Sequence, residues 1–455
     1  MTLPLTDLLA AQPTAYWLCH ARVPIACLDA AATSRTPIAE LAAPPRLENL
    51  AAVHLHIQAG TIVALVPASS SVGDDLPDDD LPRYDLGNSL VWPCFADCHT
   101  HLDKGQSWLR SPNPDGTFYS AVDAVAADRR HWSASDLYPR MSFGLRCSYA
   151  HGTQAVRTHL DCVDGQADIS FAVFDRLRQE WADRLVLQAV CLVPIDYYYD
   201  HPDAEKVADT VAHYSGILGG ATYPQPDLEA KIDRAFDLAE ARGLDLDFHA
   251  DESLDPDAEG LRMVAETKLR RGFSGRVNCG HCCSLSVHSD TRAQDTLALL
   301  KTAEISVTSL PMCNLYLQDR QSGRMPRYRG VTLLPELRQF EVAVAVASDN
   351  CRDAFFAYGD HDMVEVFTQS VRIGHLDRPI GDWPQAVTRT PAQIMGLDTG
   401  VIGEGRPADL VLFKARNFGE LLARPQSDRI VLRRGVPIDA ALPDYAELDD
   451  VIGIS

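Results

Sequence analysis

An α/β fold, a closed (β/α)8 barrel with a small β-sandwich domain formed from both chain termini, is what this sequence predicts. Three observations carry the prediction. Eight apolar segments alternate with amphipathic helical patterns from residue 89 onward. No GxGxxG loop follows the first segment, which removes the usual mark of an open nucleotide-binding sheet. Short strand patterns without intervening helices occur at both ends, before residue 89 and after residue 400.

In chain order, HLHIQ and GTIVALV within residues 54–66 read as short strands, and the acidic run Asp74-Asp75-Leu76-Pro77-Asp78-Asp79-Asp80 reads as a solvated loop. The barrel strands are expected at 89–98, 153–161, 185–194, 216–223, 244–251, 276–282, 304–311 and 341–349. Helical patterns fill the gaps, such as ASDLYPRMSFGLRCSYAHG with Gly152 at its end and DLEAKIDRAFDLAEARG before the fifth strand. The segments GEGRPADLVLFKA and SDRIVLRRGVPI return to short strands and complete the small domain. The expected division is 1–88 for the N-terminal part of the sandwich, 89–399 for a TIM-type catalytic barrel and 400–455 for the rest of the sandwich.

Composition limits the partners. With 41 basic and 63 acidic residues the formal charge is −22, a field that repels nucleic acid and anionic membrane surfaces. No stretch approaches 18 consecutive apolar residues, and the opening MTLPLTDLLAAQP lacks a basic segment followed by an apolar one. A cytoplasmic location with 12 free cysteines is expected. Cys279 and Cys282 form a CxxC without a second pair, so they read as small buried residues rather than a structural zinc site.

The chemistry collects at strand ends. In a strand, residues two apart share a face, so His99 and His101 can present two imidazoles to one ion. His249, His281 and Asp349 end the fifth, sixth and eighth expected strands, and the C-terminal strand ends of such a barrel line one mouth. Three imidazoles and a carboxylate would leave a divalent ion an open position for water, whose pKa the ion lowers toward about 7. Glu252, three residues past His249, is placed to shuttle a proton; its structural alternative is a first-turn carboxylate opposing a helix dipole.

In order and spacing, FADCHTHLDKG, AVRTHLD, FHADES, RVNCGHCCS, NLYLQDR with PRYRGV, and VAVASDN resemble the motifs of the cytosine deaminase branch of the amidohydrolase superfamily. The resemblance covers about residues 90–415. It implies His99, His101, His249 and Asp349 as ligands of one divalent metal ion, Zn(II) or Fe(II). It further implies Glu252 as proton shuttle, His281 as the group that orients the nucleophile, and Asp349 as base toward the attacking water. The implied reaction is hydrolytic release of ammonia from a free nucleobase-like heterocycle by attack of a metal-bound hydroxide, with water as the second substrate. A homo-oligomer is also implied, without an interface being located.

The pattern departs from that branch around the expected pocket. LVPIDYYYD lacks the glutamine that follows the family's third strand, leaving Asp196 or a backbone group in its place. Asn350 replaces the second member of an Asp-Asp pair, Phe355 aligns with a tryptophan, and Lys104 stands where the family has a small hydroxyl residue. Lys104 is read either as a contact for a substrate carbonyl or as a surface lysine paired with Asp103. Residues 110–135 form a candidate lid, with Tyr119 and Trp132 as covers for a flat ring, and His159 is at most an indirect participant. The ring stays open among cytosine, isoguanine, a pterin, creatinine and an aminotriazine. Cleavage of a cyclic amide or an N-substituted aminotriazine, and a barrel without catalysis, are the alternatives. Ring-opening enzymes bridge two metals with a lysine on the fourth strand, and GILGGATY has none.

Overall fold

A computed structural model describes residues 3, 5–29, 48–68, 76, 77 and 79–453. Eight strands form one sheet in strict sequence order: β6 (Phe95–Thr100), β7 (Thr153–Asp161), β8 (Val186–Leu192), β9 (Ile217–Thr222), β10 (Leu246–Ala250), β11 (Val277–His281), β12 (Ile305–Ser309) and β13 (Val344–Val346). Every neighbouring pair is parallel. A parallel bridge between Thr100 and Asp349 brings the first and last strands together, so the sheet is a nearly closed barrel. Helices separate the strands and bury one apolar face each; Leu228–Glu240, for example, buries Ile232, Ala235, Phe236 and Ala239 at helical spacing. All five residues of β10 and all five of β11 are buried, as expected for parallel strands covered on both faces.

Two four-stranded sheets built from the ends of the chain form the small domain. One runs in the order β3-β2-β1-β4, from β1 (Ala15–Pro24), β2 (Leu50–Gln58), β3 (Thr61–Pro67) and β4 (Arg83–Asp85). The other joins β5 (Val91–Pro93) to β14 (Leu410–Leu412), β15 (Ile430–Arg433) and β16 (Val436–Pro437). Leu18, Val23, Leu55, Val91, Leu410 and Leu432 share one core, and Tyr16 Oη donates to Gly435 O at 2.5 Å. The segment 89–98, read above as one strand, is therefore divided. Its first half pairs with β14, Cys94 N donates to Asp409 O at 2.9 Å, and the barrel strand starts at Phe95.

Asp74, Asp75 and Asp78 of the acidic run lie outside the described residues. Asp79 is not merely solvated: it accepts from Trp17 Nε1 at 3.0 Å and from Arg83 at 3.3 Å. All 12 cysteines are buried and free. Cys282 Sγ points toward the carbonyl of Cys279, in line with the reading of that pair as small core residues. No helix among the described residues is long and apolar enough to cross a membrane.

Gly152 shows how tightly barrel and small domain meet. Its φ is +96°, and a Cβ there would lie 2.8 Å from Val411 and 3.3 Å from Val431, on β14 and β15. Gly152→Ala is expected to destabilise the chain by about 1–3 kcal/mol through backbone strain and overpacking. The shift in urea midpoint measures it.

Candidate active site

The pleat puts His99 on the inner face of β6, and His101, just past the strand end, on the same side. His249 on β10 and His281 at the end of β11 are neighbours, because Ala250 pairs with His281 across the two strands. Asp349, three residues beyond β13, completes the ring. His101 Nε2 lies 3.2 Å and His99 Nε2 3.5 Å from Asp349 Oδ1, and His249 Nε2 is 3.3 Å from His101 Nε2. The structure thus brings together all five metal-competent residues expected from the sequence, and all are buried.

Their polar atoms are poorly served by the protein. Both nitrogens of His99, Nε2 of His281 and both oxygens of Asp349 lack a hydrogen bond of good geometry, although the imidazoles crowd the carboxylate. Buried groups of this kind cost free energy unless something else engages them. A cation is the partner that all of them accept. Two sets, His99-His159-His249 and His99-His281-Asp349, place their candidate ligand atoms within 4.8 Å of one another. Burial holds the His99, His101 and His249 imidazoles far below their usual range, in the neutral form that binds metal. Burial, with the Glu252 carboxylate nearby, pushes Asp349 up to about 7 against the opposing pull of His281. The donor set fits a divalent ion of the zinc or iron type.

Glu252 faces His281. Its Oε1 lies 3.2 Å from His281 Nδ1 and accepts from Asn314 Nδ2 at 3.2 Å, while Gln318 Nε2 donates to the Glu252 carbonyl at 3.1 Å. Burial opposes charge on His281, but the Glu252 and Asp349 carboxylates outweigh it and raise the imidazole above its usual range. The helix-dipole role considered for Glu252 belongs to Asp251, which accepts from Gly260 N at 3.1 Å and Leu261 N at 2.8 Å at the start of the helix Gly260–Arg271. Glu252 is thereby left to the mouth.

Sequence reasoning underrated His159. Its ring stacks on His99 with 3.8 Å between centroids and stands 4.8 Å from His249. The register that pairs Thr158 with Thr100 turns the next residue on β7 into the same interior, and the sequence alone does not fix that register. Below the imidazoles, Arg157 donates to Asp247 at 2.8 Å and Asn278 donates to the other Asp247 oxygen at 2.8 Å, a buried floor that sequence reading did not identify.

The residues read as pocket-forming have varied placements. Lys104 is no surface lysine: it is buried and donates to Asp161 at 2.7 Å, whereas Asp103 accepts the backbone N–H groups of Lys104 and Asp161. Asn350 is buried and donates to Asp353 at 2.8 Å. Phe355 packs edge-on against Phe118 at 5.7 Å. Asp196 begins a short helix, half-buried, and accepts from Tyr223 Oη at 2.8 Å rather than from a residue of the histidine cluster. In the candidate lid, Tyr119 is 80% exposed, Trp132 is 2% exposed and donates to Asp128 at 2.8 Å, and Phe118 is the ring that packs against Phe355. Residues 110–135 contain the helix Phe118–Asp128, fastened by Arg110, which grips Asp128 at 2.7 and 2.8 Å and Asp136 at 2.5 Å.

A buried histidine and aspartate donor set at the C-terminal mouth of a parallel barrel, with a carboxylate beside it, defines a metal-dependent barrel enzyme. The chain belongs to the amidohydrolase family, whose model matches residues 149–438. A pterin deaminase from Rhizobium rhizogenes strain K84 is 49% identical over 411 residues, 90% of this chain and 93% of the relative. The N-isopropylammelide isopropyl amidohydrolase of Pseudomonas sp. strain ADP is 22% identical over 73% of this chain and 82% of its own length. The 5-methylcytosine deaminase of Klebsiella pneumoniae, solved with 5-fluorocytosine, shares the fold with a TM-score of 0.76 at 23% identity, covering 93% of this chain and 97% of that one.

Metal analysis of purified protein is expected to give about one equivalent of divalent ion per chain, as the ligand set His99, His101, His249 and Asp349 expected from the sequence implies. His249→Ala is expected to lose most of that metal while retaining its circular dichroism spectrum.

Proposed function

We propose that this protein is a metal-dependent hydrolytic deaminase of a pterin, converting a 2-amino-4-oxopteridine to the 2,4-dioxo product and ammonia. The observation that carries the substrate is the 49% identity to a pterin deaminase along 90% of the chain. That similarity supports a pterin over cytosine among the rings the motifs left open. The donor set supports the chemistry. His99, His101, His249 and Asp349 would hold the ion, which supplies Lewis acidity and lowers the pKa of a water toward about 7.

The chain's own residues then have separate tasks. The reacting carbon, C2, lies between two ring nitrogens and carries the exocyclic amine. Glu252 takes a proton from the attacking water and delivers it to the ring imine nitrogen, which drains electron density from C2. Asn314 Nδ2 donates to Glu252 at 3.2 Å and lies 3.0 Å from His281 Nδ1, which keeps it between these two side chains. His281 orients the nucleophile through its unbonded Nε2. Asp349 accepts the remaining water proton and returns it to the amine, which leaves as ammonia. No covalent enzyme intermediate is required.

The absence of a lysine from β9, whose sequence is ILGGAT, speaks against a two-metal ring-opening site. Ammonia release and the ultraviolet change from pterin to dioxopteridine, followed beside cytosine, isoguanine, creatinine and aminotriazines, test the reading. Pterin is the expected substrate. Glu252→Gln is expected to retain metal and lose roughly 10²–10⁴-fold in kcat. A metal-loaded variant with ordinary turnover would remove Glu252 from the reaction, and no ammonia from any pterin would overturn the substrate.

A further inference from the structure

Across the mouth from Glu252 the protein has buried a cation. Lys104 follows the end of β6 and Glu252 follows the end of β10. These strands are four apart in a ring of eight, so the two side chains rise from opposite walls. Lys104 Nζ donates to Asp161 Oδ1 at 2.7 Å and lies 5.6 Å from the centroid of the Phe355 ring. An ammonium has three N–H donors, and Asp161 accepts one of them. The others are buried beside an aromatic wall, where an unused donor is costly unless a ligand supplies an acceptor.

The surrounding charges state which acceptor fits. Asp161 also lies 3.5 Å from Arg129, and the buried carboxylates of Asp103 and Asp353 flank the lysine. Two cations among three carboxylates leave no surplus positive charge for an anionic group. A neutral carbonyl oxygen, lying in the plane of a ring that rests on Phe355, needs only the N–H. A pterin offers this arrangement: its imine nitrogen and its 4-oxo group lie on opposite sides of the amidine carbon, matching Glu252 on one wall and Lys104 on the other.

We propose that Lys104 is a specificity-determining residue, whose ammonium holds the 4-oxo oxygen of the substrate and selects oxo-substituted rings over 4-amino rings of the same size. The proposal rests on the deaminase reading above. A 4-amino group would point its own N–H at the ammonium, setting donor against donor.

The test compares pterin with 2,4-diaminopteridine on the metal-loaded enzyme, by kcat/KM, or by the inhibition constant of the diamino compound where it is not turned over. The wild type should favour pterin strongly. Lys104→Met should lose roughly a hundredfold on pterin, with little change toward the diamino ring, so that the preference collapses. Because that variant leaves Asp161 without its main partner, the double variant Lys104→Met with Asp161→Asn is measured beside it; metal content and circular dichroism report folding. A collapsed preference in the folded double variant supports the assignment even where the single variant is unstable. An undiminished preference in either folded variant overturns it while leaving the deaminase reading intact. A wild type that releases no ammonia from pterin overturns both.

Discussion

The barrel closes through the backbone of the residues that would hold the metal. Asp349 N–H donates to the His99 carbonyl at 2.9 Å, and the Asp349 carbonyl accepts from His101 N–H at 3.2 Å and from Thr100 Oγ1 at 2.8 Å. β13 is only three residues long, so this short bridge carries much of the closure. It also holds Asp349 at a φ of +61°, a left-handed conformation that a non-glycine residue keeps only when its surroundings fix both ends of the peptide. The spacing of His99, His101 and Asp349 is accordingly a property of the main chain. The same hydrogen bonds close the barrel and aim its donors.

Acidic residues near the mouth are sorted by what occupies their oxygens. Asp97 is taken by the backbone N–H and hydroxyl of Ser348, Asp251 by the start of a helix, and Asp353 by Asn350 and the N–H groups of Phe355 and Phe356. Asp247 is committed to Arg157 and Asn278 beneath the imidazoles. Each has both carboxylate oxygens engaged by structural donors. Asp349 and Glu252 are different: the first has no hydrogen bond of good geometry, and the second meets only the His281–Asn314 pair through Oε1. Carboxylates with unfilled oxygens are the ones available to an ion or a proton.

Much of this was legible in the sequence because period and polarity report it directly. Parallel strands buried on both faces appear as apolar runs, and a strand's twofold repeat makes His99 and His101 partners before any contact is known. Long-range choices were harder to read. Lys104 and Asp161 are 57 residues apart, so the local Asp103 looked like the natural partner until the neighbouring strand ends were set side by side. Between residues 110 and 135 the sequence offered Tyr119 and Trp132 as covers for a ring, but folding leaves Tyr119 in solvent, buries Trp132 and packs Phe118 on Phe355. His159 depended on the register between β6 and β7, where a shift of one residue reverses the face. The ring itself escaped the motifs because they encode metal and proton chemistry, whereas the pocket wall comes from loops whose directions are set only after folding.

The division of residues 89–98 has an implication for modularity. Cys94 alone separates β5, a strand of the small domain, from β6, which runs directly to His99 and His101. A cut before β5 would separate β1 to β4 from the other terminal sheet, and a cut after it would take β5 away from β14 one residue ahead of the strand that carries His99. One continuous stretch of chain thus belongs both to a terminal sheet and to the strand of His99, so strain in that sheet is transmitted to the reactive centre through a single residue.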